Sequence, residues 1–161
     1  MPLNNQYQSP ETLGLDRLAG AAGIWYRYPG AGGLVIDMGS CITYDYVDAK
    51  GNYLGGAISP GVAMRFKAMH TFTAALPLVE GNEESEILGD TTVRSMRSGV
   101  INGVCAEIEG MIGRYRDRYG AFKAVLCGGD AKFFASKVKP TIFADQYLIL
   151  YGLYRILEEN L

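Results

Sequence analysis

Leu34-Val35-Ile36-Asp37-Met38-Gly39-Ser40-Cys41-Ile42-Thr43-Tyr44-Asp45-Tyr46-Val47 is the stretch on which the fold turns. Leu34 to Asp37 is an apolar run closed by an aspartate, and Gly39 ends it. Ile42 to Val47 alternates and is rich in β-branched and aromatic residues, the pattern of a strand with a buried face. Asp48-Ala49-Lys50-Gly51-Asn52 then reads as a hairpin-type turn. A third strand-like run, Tyr53 to Ile58, leads into Ser59-Pro60-Gly61. Runs joined by such tight turns pair antiparallel with their chain neighbours.

Outside these strands the period changes. Residues 1–13 are polar and irregular. Leu15, Leu18, Ala19, Ala22 and Trp25 fall at helical spacing, predicting a helix from Asp16 to about Tyr26, broken by Pro29, Gly30, Gly32 and Gly33. After the strands, Val62, Met64, Phe66, Met69, Phe72 and Leu76 predict a helix over 62–76, stopped by Pro77. An acidic loop fills 78–90. Thr91 opens a long helical pattern through Ile101, Val104, Ile108, Met111, Ile112 and Tyr115 to near Gly120. Ala124 to Cys127 reads as a buried strand, followed by Gly128-Gly129-Asp130 and a short helix over 131–137. Thr141 to Phe143 reads as a last strand, and Leu148 to Leu157 as a closing amphipathic helix. Strands first joined by turns and then by helical crossovers give an α/β fold, a mixed sheet flanked by helices.

The chain of 161 residues is long enough for one domain that buries its own core without a disulfide or metal staple. Glycine supplies 21 residues, close to twice the usual share of about 7%, so many turns and close backbone approaches are expected. A net charge of −2 offers no basic excess to neutralise nucleic-acid phosphates. No apolar run approaches the ~20 residues of a membrane span, and no signal-peptide pattern opens the chain. Cys41, Cys105 and Cys127 are widely spaced and His70 is the one histidine, too few ligands for a zinc site. They read as reduced, mostly buried thiols of a cytoplasmic protein, and His70 as a core or interface histidine.

Five short motifs can carry chemistry. In Asp37-Met38-Gly39-Ser40-Cys41, glycine lets a ligand approach the backbone, Ser40 and the turn amides can donate to phosphate, and Asp37 can hold a cation. The same residues equally suit a hairpin turn. Gly14-Leu15-Asp16-Arg17 sets a carboxylate beside a guanidinium where a helix starts, and Asp16 there also suits a cap. Gly128-Gly129-Asp130, between strand and helix, fits a phosphate or adenosine neighbourhood or a tight turn. Gly55-Gly56-Ala57-Ile58-Ser59-Pro60-Gly61 brings backbone close to a neighbour or a ligand. Gly89-Asp90-Thr91-Thr92 lies at the mouth of the long helix, where a threonine caps. Neither GxxxxGK[ST] nor GxGxxG occurs.

Taken in order, these motifs together with Tyr7 to Leu13 and Thr73-Ala74-Ala75-Leu76-Pro77 resemble those of type III pantothenate kinases, over nearly all of the chain. The resemblance implies a lobe of the acetate/sugar kinase–Hsp70–actin (ribonuclease H-like) fold, with residues 1–161 as the C-terminal lobe including its linker helix. It implies a homodimer that uses ATP with Mg²⁺, and a monovalent cation (K⁺ or NH₄⁺), to phosphorylate pantothenate to 4'-phosphopantothenate, the first step of coenzyme A biosynthesis. By motif, Asp16 matches the general base. Tyr7, Gly14, Leu15, Asp16, Arg17 and Thr92 match substrate-binding positions. Asp37 matches the monovalent-cation aspartate. Ser40 stands where the family has a threonine that contacts ATP, and it keeps the hydroxyl.

Members of that family also carry an N-terminal lobe opening on a DxGNTxxK-like phosphate loop, and no such segment stands before Tyr7. The expectation is a chain that turns over little pantothenate by itself. The transcriptional accessory factor related to these kinases gives the alternative: a non-catalytic binding or regulatory module, or a dimerisation lobe built on the long helix.

Overall fold

Alternation along the central strands sorts their side chains onto two faces, and each face gathers its own core. A computed structural model describes residues 3–139 and 142–161. β1 (Asn4–Asn5), β2 (Gly33–Met38), β3 (Cys41–Val47), β4 (Asn52–Pro60), β5 (Lys123–Cys127) and β6 (Ile142–Ala144) form one sheet in the order β1-β4-β3-β2-β5-β6. β2, β3 and β4 are antiparallel neighbours. β5 lies parallel to β2, β6 to β5, and β1 to β4. The β3–β4 turn is fixed by Asp48, whose Oδ1 accepts the Lys50 and Asn52 amides at 2.8 and 2.9 Å, while Gly51 takes a φ of 83°.

The helices are α1 (Leu15–Arg27), α2 (Val62–Phe72), α3 (Thr92–Tyr119), α4 (Ala131–Ala135) and α5 (Leu148–Glu158). Val35, Val47, Tyr53, Val125 and Cys127 face Ala21, Ala22 and Ile24 of α1 and Leu148 of α5. Leu34, Ile36, Tyr44 and Leu126 face the other way, onto Phe66 of α2, Val104, Ile108 and Ile112 of α3, and Phe134 of α4. Three antiparallel strands, two parallel ones reached through helices, and helices on both faces make the mixed α/β sheet expected from the sequence, in the ribonuclease H-like topology that the resemblance implies.

α1 and α5 meet through glycines. A Cβ on Gly152 would lie 1.8 Å from the Ala19 carbonyl oxygen, and one on Gly23 would lie 2.4 Å from that of Leu148. Gly152→Ala must therefore push the helices apart. We expect it to cost about 1–3 kcal/mol, the usual penalty of overpacking. Urea denaturation checks this, and an unchanged midpoint would mean that the two helices part freely.

Several details differ from the sequence expectation. α2 ends at Phe72, because the Thr73 hydroxyl donates back to the Met69 carbonyl at 2.6 Å and the backbone becomes extended there, before Pro77 can act. His70 is exposed rather than buried, with Nδ1 2.7 Å from the Leu76 carbonyl oxygen. α4 stops at Ala135. β1 forms inside the stretch read as irregular, with the Asn4 and Gln6 amides donating to the Gly51 and Tyr53 carbonyls. In α5, Leu148 and Gly152 are buried while Leu150, Leu153, Tyr154 and Leu157 stay exposed, so its apolar residues point both ways. Thr141 lies outside the described residues. Among those residues all three cysteines are free, and no helix is long and apolar enough to cross a membrane.

Candidate functional site

Thr43, Asp45 and Val47 share one phase of β3, the phase that faces α1. Asp45 is 1% exposed there, and a buried carboxylate must be paired and hydrogen-bonded. The pairing comes from the first turn of α1. Arg17 Nε donates to Asp45 Oδ1 at 2.9 Å, and Arg17 Nη2 lies 2.8 Å from the same oxygen. The Tyr53 hydroxyl donates to Oδ1 at 2.7 Å and the Thr43 hydroxyl to Oδ2 at 3.1 Å. Burial works against the charge of Arg17, but Asp45 outweighs it and holds the guanidinium more firmly protonated than usual. Burial pushes the Asp45 carboxyl up, while Arg17, Tyr53 and Thr43 pull the other way. Burial and the neighbouring Asp45 charge push the Tyr53 hydroxyl up, so it remains a donor.

Tyr7 covers this pair. The Arg17 guanidinium carbon lies 5.5 Å from the Tyr7 ring centroid, and the Tyr7 and Tyr53 rings are 6.1 Å apart. Gly55, at φ 95°, makes room: a Cβ there would come within 3.0 Å of the Tyr7 ring. Arg17 thus points Nε and Nη2, two of its three guanidinium nitrogens, at Asp45. Asp16, next to it, is exposed, and its Oδ1 accepts the Arg17 amide at 2.9 Å. A Cβ on Gly14 would lie 2.4 Å from Asp16 Oδ1, so a side chain there would turn the Asp16 carboxylate away. Leu15 is also exposed.

Asp37 is the penultimate residue of β2, on the same side of the sheet. Among the described residues its carboxylate receives no hydrogen bond and joins no ion pair. Burial first, then the charges of Asp16 and Asp45, push its pKa up. A carboxyl whose folded value is raised favours the protonated folded state. Its contribution to stability therefore falls as pH rises from the ordinary carboxylate range through the raised value, and stays lower above it. We expect Asp37→Asn to raise the urea midpoint at pH 7 and to flatten that part of the stability–pH curve. An unchanged midpoint would remove the strain argument. The same unpaired oxygen atoms suit a cation. Among the described residues, no group of three or more His, Cys, Asp or Glu side chains is placed to hold a metal, so Asp37 would need backbone or ligand oxygens beside it.

The next turn is assembled from three glycine motifs. The Gly39 amide donates to the Cys41 carbonyl at 3.0 Å, the Gly61 amide to Ser40 at 3.0 Å and the Asp130 amide to Met38 at 3.1 Å. A Cβ on Gly61 would overlap the Gly39 and Ser40 carbonyl oxygens, and one on Gly128 (φ 89°) would lie 2.3 Å from Asp37 Oδ1. Ser40 is exposed at this turn. Beside it, at the carboxyl ends of β5 and β6, opens a cavity of about 760 Å³ lined by Gly128, Gly129, Lys132, Asp145 and Tyr147. Strand carboxyl ends are the usual ligand position in open α/β sheets.

Tyr7, Gly14, Asp16, Arg17 and Asp37 thus fall into one neighbourhood, and Ser40 adjoins it. Thr92 does not. It is exposed at the start of α3, beside the capping Thr91 hydroxyl that accepts the Arg94 amide at 3.3 Å. Thr92 lines a separate cavity with Met69, Leu76 and Ser95, on the α2–α3 side of the sheet. Sequence reasoning missed Asp45, Tyr53 and Thr43. The available signal was a single charge in the alternation of 42–47, in phase with Val47.

Fold and site first define a class: a ribonuclease H-like lobe that gathers an exposed carboxylate, a buried guanidinium and an unpaired carboxylate beside its central strands. The sequence pattern of the type III pantothenate kinase family matches residues 1–114. A type III pantothenate kinase of Flavobacterium johnsoniae is 46% identical over 152 residues, covering 94% of this chain and 62% of its own length. One from Phocaeicola vulgatus is 46% identical over 160 residues, covering 99% and 66% respectively. A solved structure from Campylobacter jejuni, described as a conserved Baf family transcriptional activator, superposes with a TM-score of 0.70 at 28% identity, covering 98% of this chain and 68% of that one. The chain belongs to the type III pantothenate kinase family. It spans somewhat less than two thirds of the length of those two kinase relatives.

Proposed function

We propose that this chain is the pantothenate-binding part of an ATP-dependent pantothenate kinase that acts in coenzyme A biosynthesis. The observation that carries the reading is the Asp16–Arg17 turn: an exposed carboxylate adjoins a guanidinium fixed from behind by Asp45 at 2.9 Å. Pantothenate carries a carboxylate for the Arg17 guanidinium and a hydroxyl for Asp16. Tyr7, Gly14 and Leu15 surround that position. In the reaction, Asp16 takes the hydroxyl proton, a new bond forms between that oxygen and the γ-phosphorus, the bridging bond to ADP breaks, and ADP leaves. ATP with Mg²⁺ supplies the phosphoryl group. Ser40 and the Gly39–Ser40 turn meet its phosphates, Asp37 holds a monovalent cation (K⁺ or NH₄⁺), and Gly128–Gly129 border the nucleotide cavity.

Thr92 joins the substrate set in a homodimer, because it stands on the opposite sheet face from Arg17. The outer side of α3 suits such a partner: Gly99, Gly103, Gly110 and Gly113 each leave open space where a Cβ would stand. Phosphoryl transfer needs charge stabilisation from more than one side of the nucleotide. The 161-residue chain alone is therefore expected to show little pantothenate-dependent turnover.

Calorimetric titration of the 161-residue chain with pantothenate tests the reading. Binding is expected, and Arg17→Lys should weaken it roughly 10- to 100-fold, because lysine keeps the charge but loses the forked donors. The likeness to the Campylobacter activator favours a second reading, a non-catalytic regulatory module. Absence of pantothenate heat from a folded, dimeric chain would select that one.

A further inference from the structure

Glu107, in the middle of α3, was in none of the motifs, yet its carboxylate ties four elements together. Its Oε1 accepts the Ser59 hydroxyl at 2.5 Å and the Tyr44 hydroxyl at 2.9 Å. Its Oε2 takes Arg65 Nη2 at 2.5 Å. Arg65, on α2, also donates from Nε to the Pro60 carbonyl at 2.8 Å. Both ends of the Ser59-Pro60 step are thus held, one through the serine hydroxyl and one through the proline carbonyl. The next residue, Gly61, is buried, and its amide donates to the Ser40 carbonyl at 3.0 Å. The Gly61 Cα stands so close to the Gly39 and Ser40 carbonyl oxygens that no side chain fits between. From α3 to the Gly39–Ser40 turn there is an unbroken path of hydrogen bonds and backbone contact.

We propose that Glu107 and Arg65 are positioning residues for the Gly39–Ser40 turn, setting the Ser40 hydroxyl for nucleotide phosphates. The assignment of phosphates to that turn rests on the function proposed above, whereas the mechanical link does not. A carboxylate is suited to the task because it accepts three donors from three elements at once, and a charged acceptor forms the stronger hydrogen bonds. Burial alone would push the Glu107 carboxyl up, but Ser59, Arg65 and Tyr44 hold it below the usual glutamate value, so it is ionised at neutral pH.

The test is amide hydrogen exchange on the 161-residue chain, followed by NMR, with Glu107→Ala and Glu107→Gln. In Glu107→Ala the Gly61 and Gly39 amides should exchange about tenfold faster, while the Leu34 and Val125 amides in the sheet keep their rates. Glu107→Gln keeps the Oε1 acceptor for Ser59 and Tyr44 and should restore most of the protection. Titration with Mg-ATP gives the second readout: wild-type Ser40 should shift, and Glu107→Ala should need about tenfold more nucleotide. Uniform acceleration of all amides would mean that Glu107 only stabilises the fold, and unchanged Gly61 exchange would mean that the path carries nothing. Either overturns the proposal. If the exchange result holds but wild-type Ser40 does not respond to Mg-ATP, the positioning stands and the nucleotide assignment of the turn fails.

Discussion

Asp45→Ala is expected to lower the stability of the fold by about 3–5 kcal/mol, the usual cost of removing one partner of a buried ion pair. The size follows from what stays behind. Arg17 is 9% exposed and would keep its charge with no carboxylate beside it. The Tyr53 and Thr43 hydroxyls would lose their acceptor at the same time. Replacing both ends by apolar residues, Arg17→Met with Asp45→Leu, should recover most of the loss, because desolvation of two charges offsets much of their attraction. Urea denaturation of the single and double variants at pH 7 checks this. A single-variant loss under about 1 kcal/mol would place the pair in the class of solvated surface bridges. The pair is therefore read as a device for aiming Arg17, held at a cost in stability, with Tyr7 laid over the guanidinium as its outer wall.

Asp16→Asn should separate the two roles that the sequence leaves open for that residue. Asparagine keeps an oxygen that accepts the Arg17 amide, so the helix start survives and the urea midpoint of the 161-residue chain should stay where it is. It cannot take a proton. Turnover should fall by about 10²–10⁴-fold, the range for loss of a general base. The assay needs a chain completed with the part of the Flavobacterium johnsoniae kinase that lies outside the match. A variant that retains turnover would remove Asp16 from the chemistry and leave it as an acceptor in the first turn of α1, whose N-cap is Gly14. An equal loss of stability and activity would point the same way.

The motifs were legible because glycine has few uses that a different residue cannot serve. Gly14, Gly61 and Gly128 were noticed as turns where something must come close. The structure names the neighbour in each case: the Asp16 carboxylate, the Gly39–Ser40 carbonyls and the Asp37 carboxylate. The α/β class was legible from the change of period between 34–58 and 91–119. What escaped notice was the work of residues whose identity is ordinary. Asp45 sits among tyrosines on a strand, and Glu107 on a helix rich in charge. The phase shared with Val47 was the one local sign of Asp45, and nothing local separates Glu107 from a solvated carboxylate.

Residue order alone determined the strands β2 to β6, the long helix and the candidate residues Asp16, Arg17, Asp37 and Ser40, because period and turn chemistry are local. Only the tertiary structure decided which of these meet. It put Arg17 on Asp45 across 28 positions of sequence. It placed Asp37 beside Gly128, and set Thr92 on the far face of the sheet. It also turned half of the apolar side chains of α5 outward, while Leu148 and Gly152 make the contact with α1. The reason is physical. Which face a side chain takes follows from alternation, but its partner follows from which strand and helix are packed there, and that is settled by burial of the whole sheet at once.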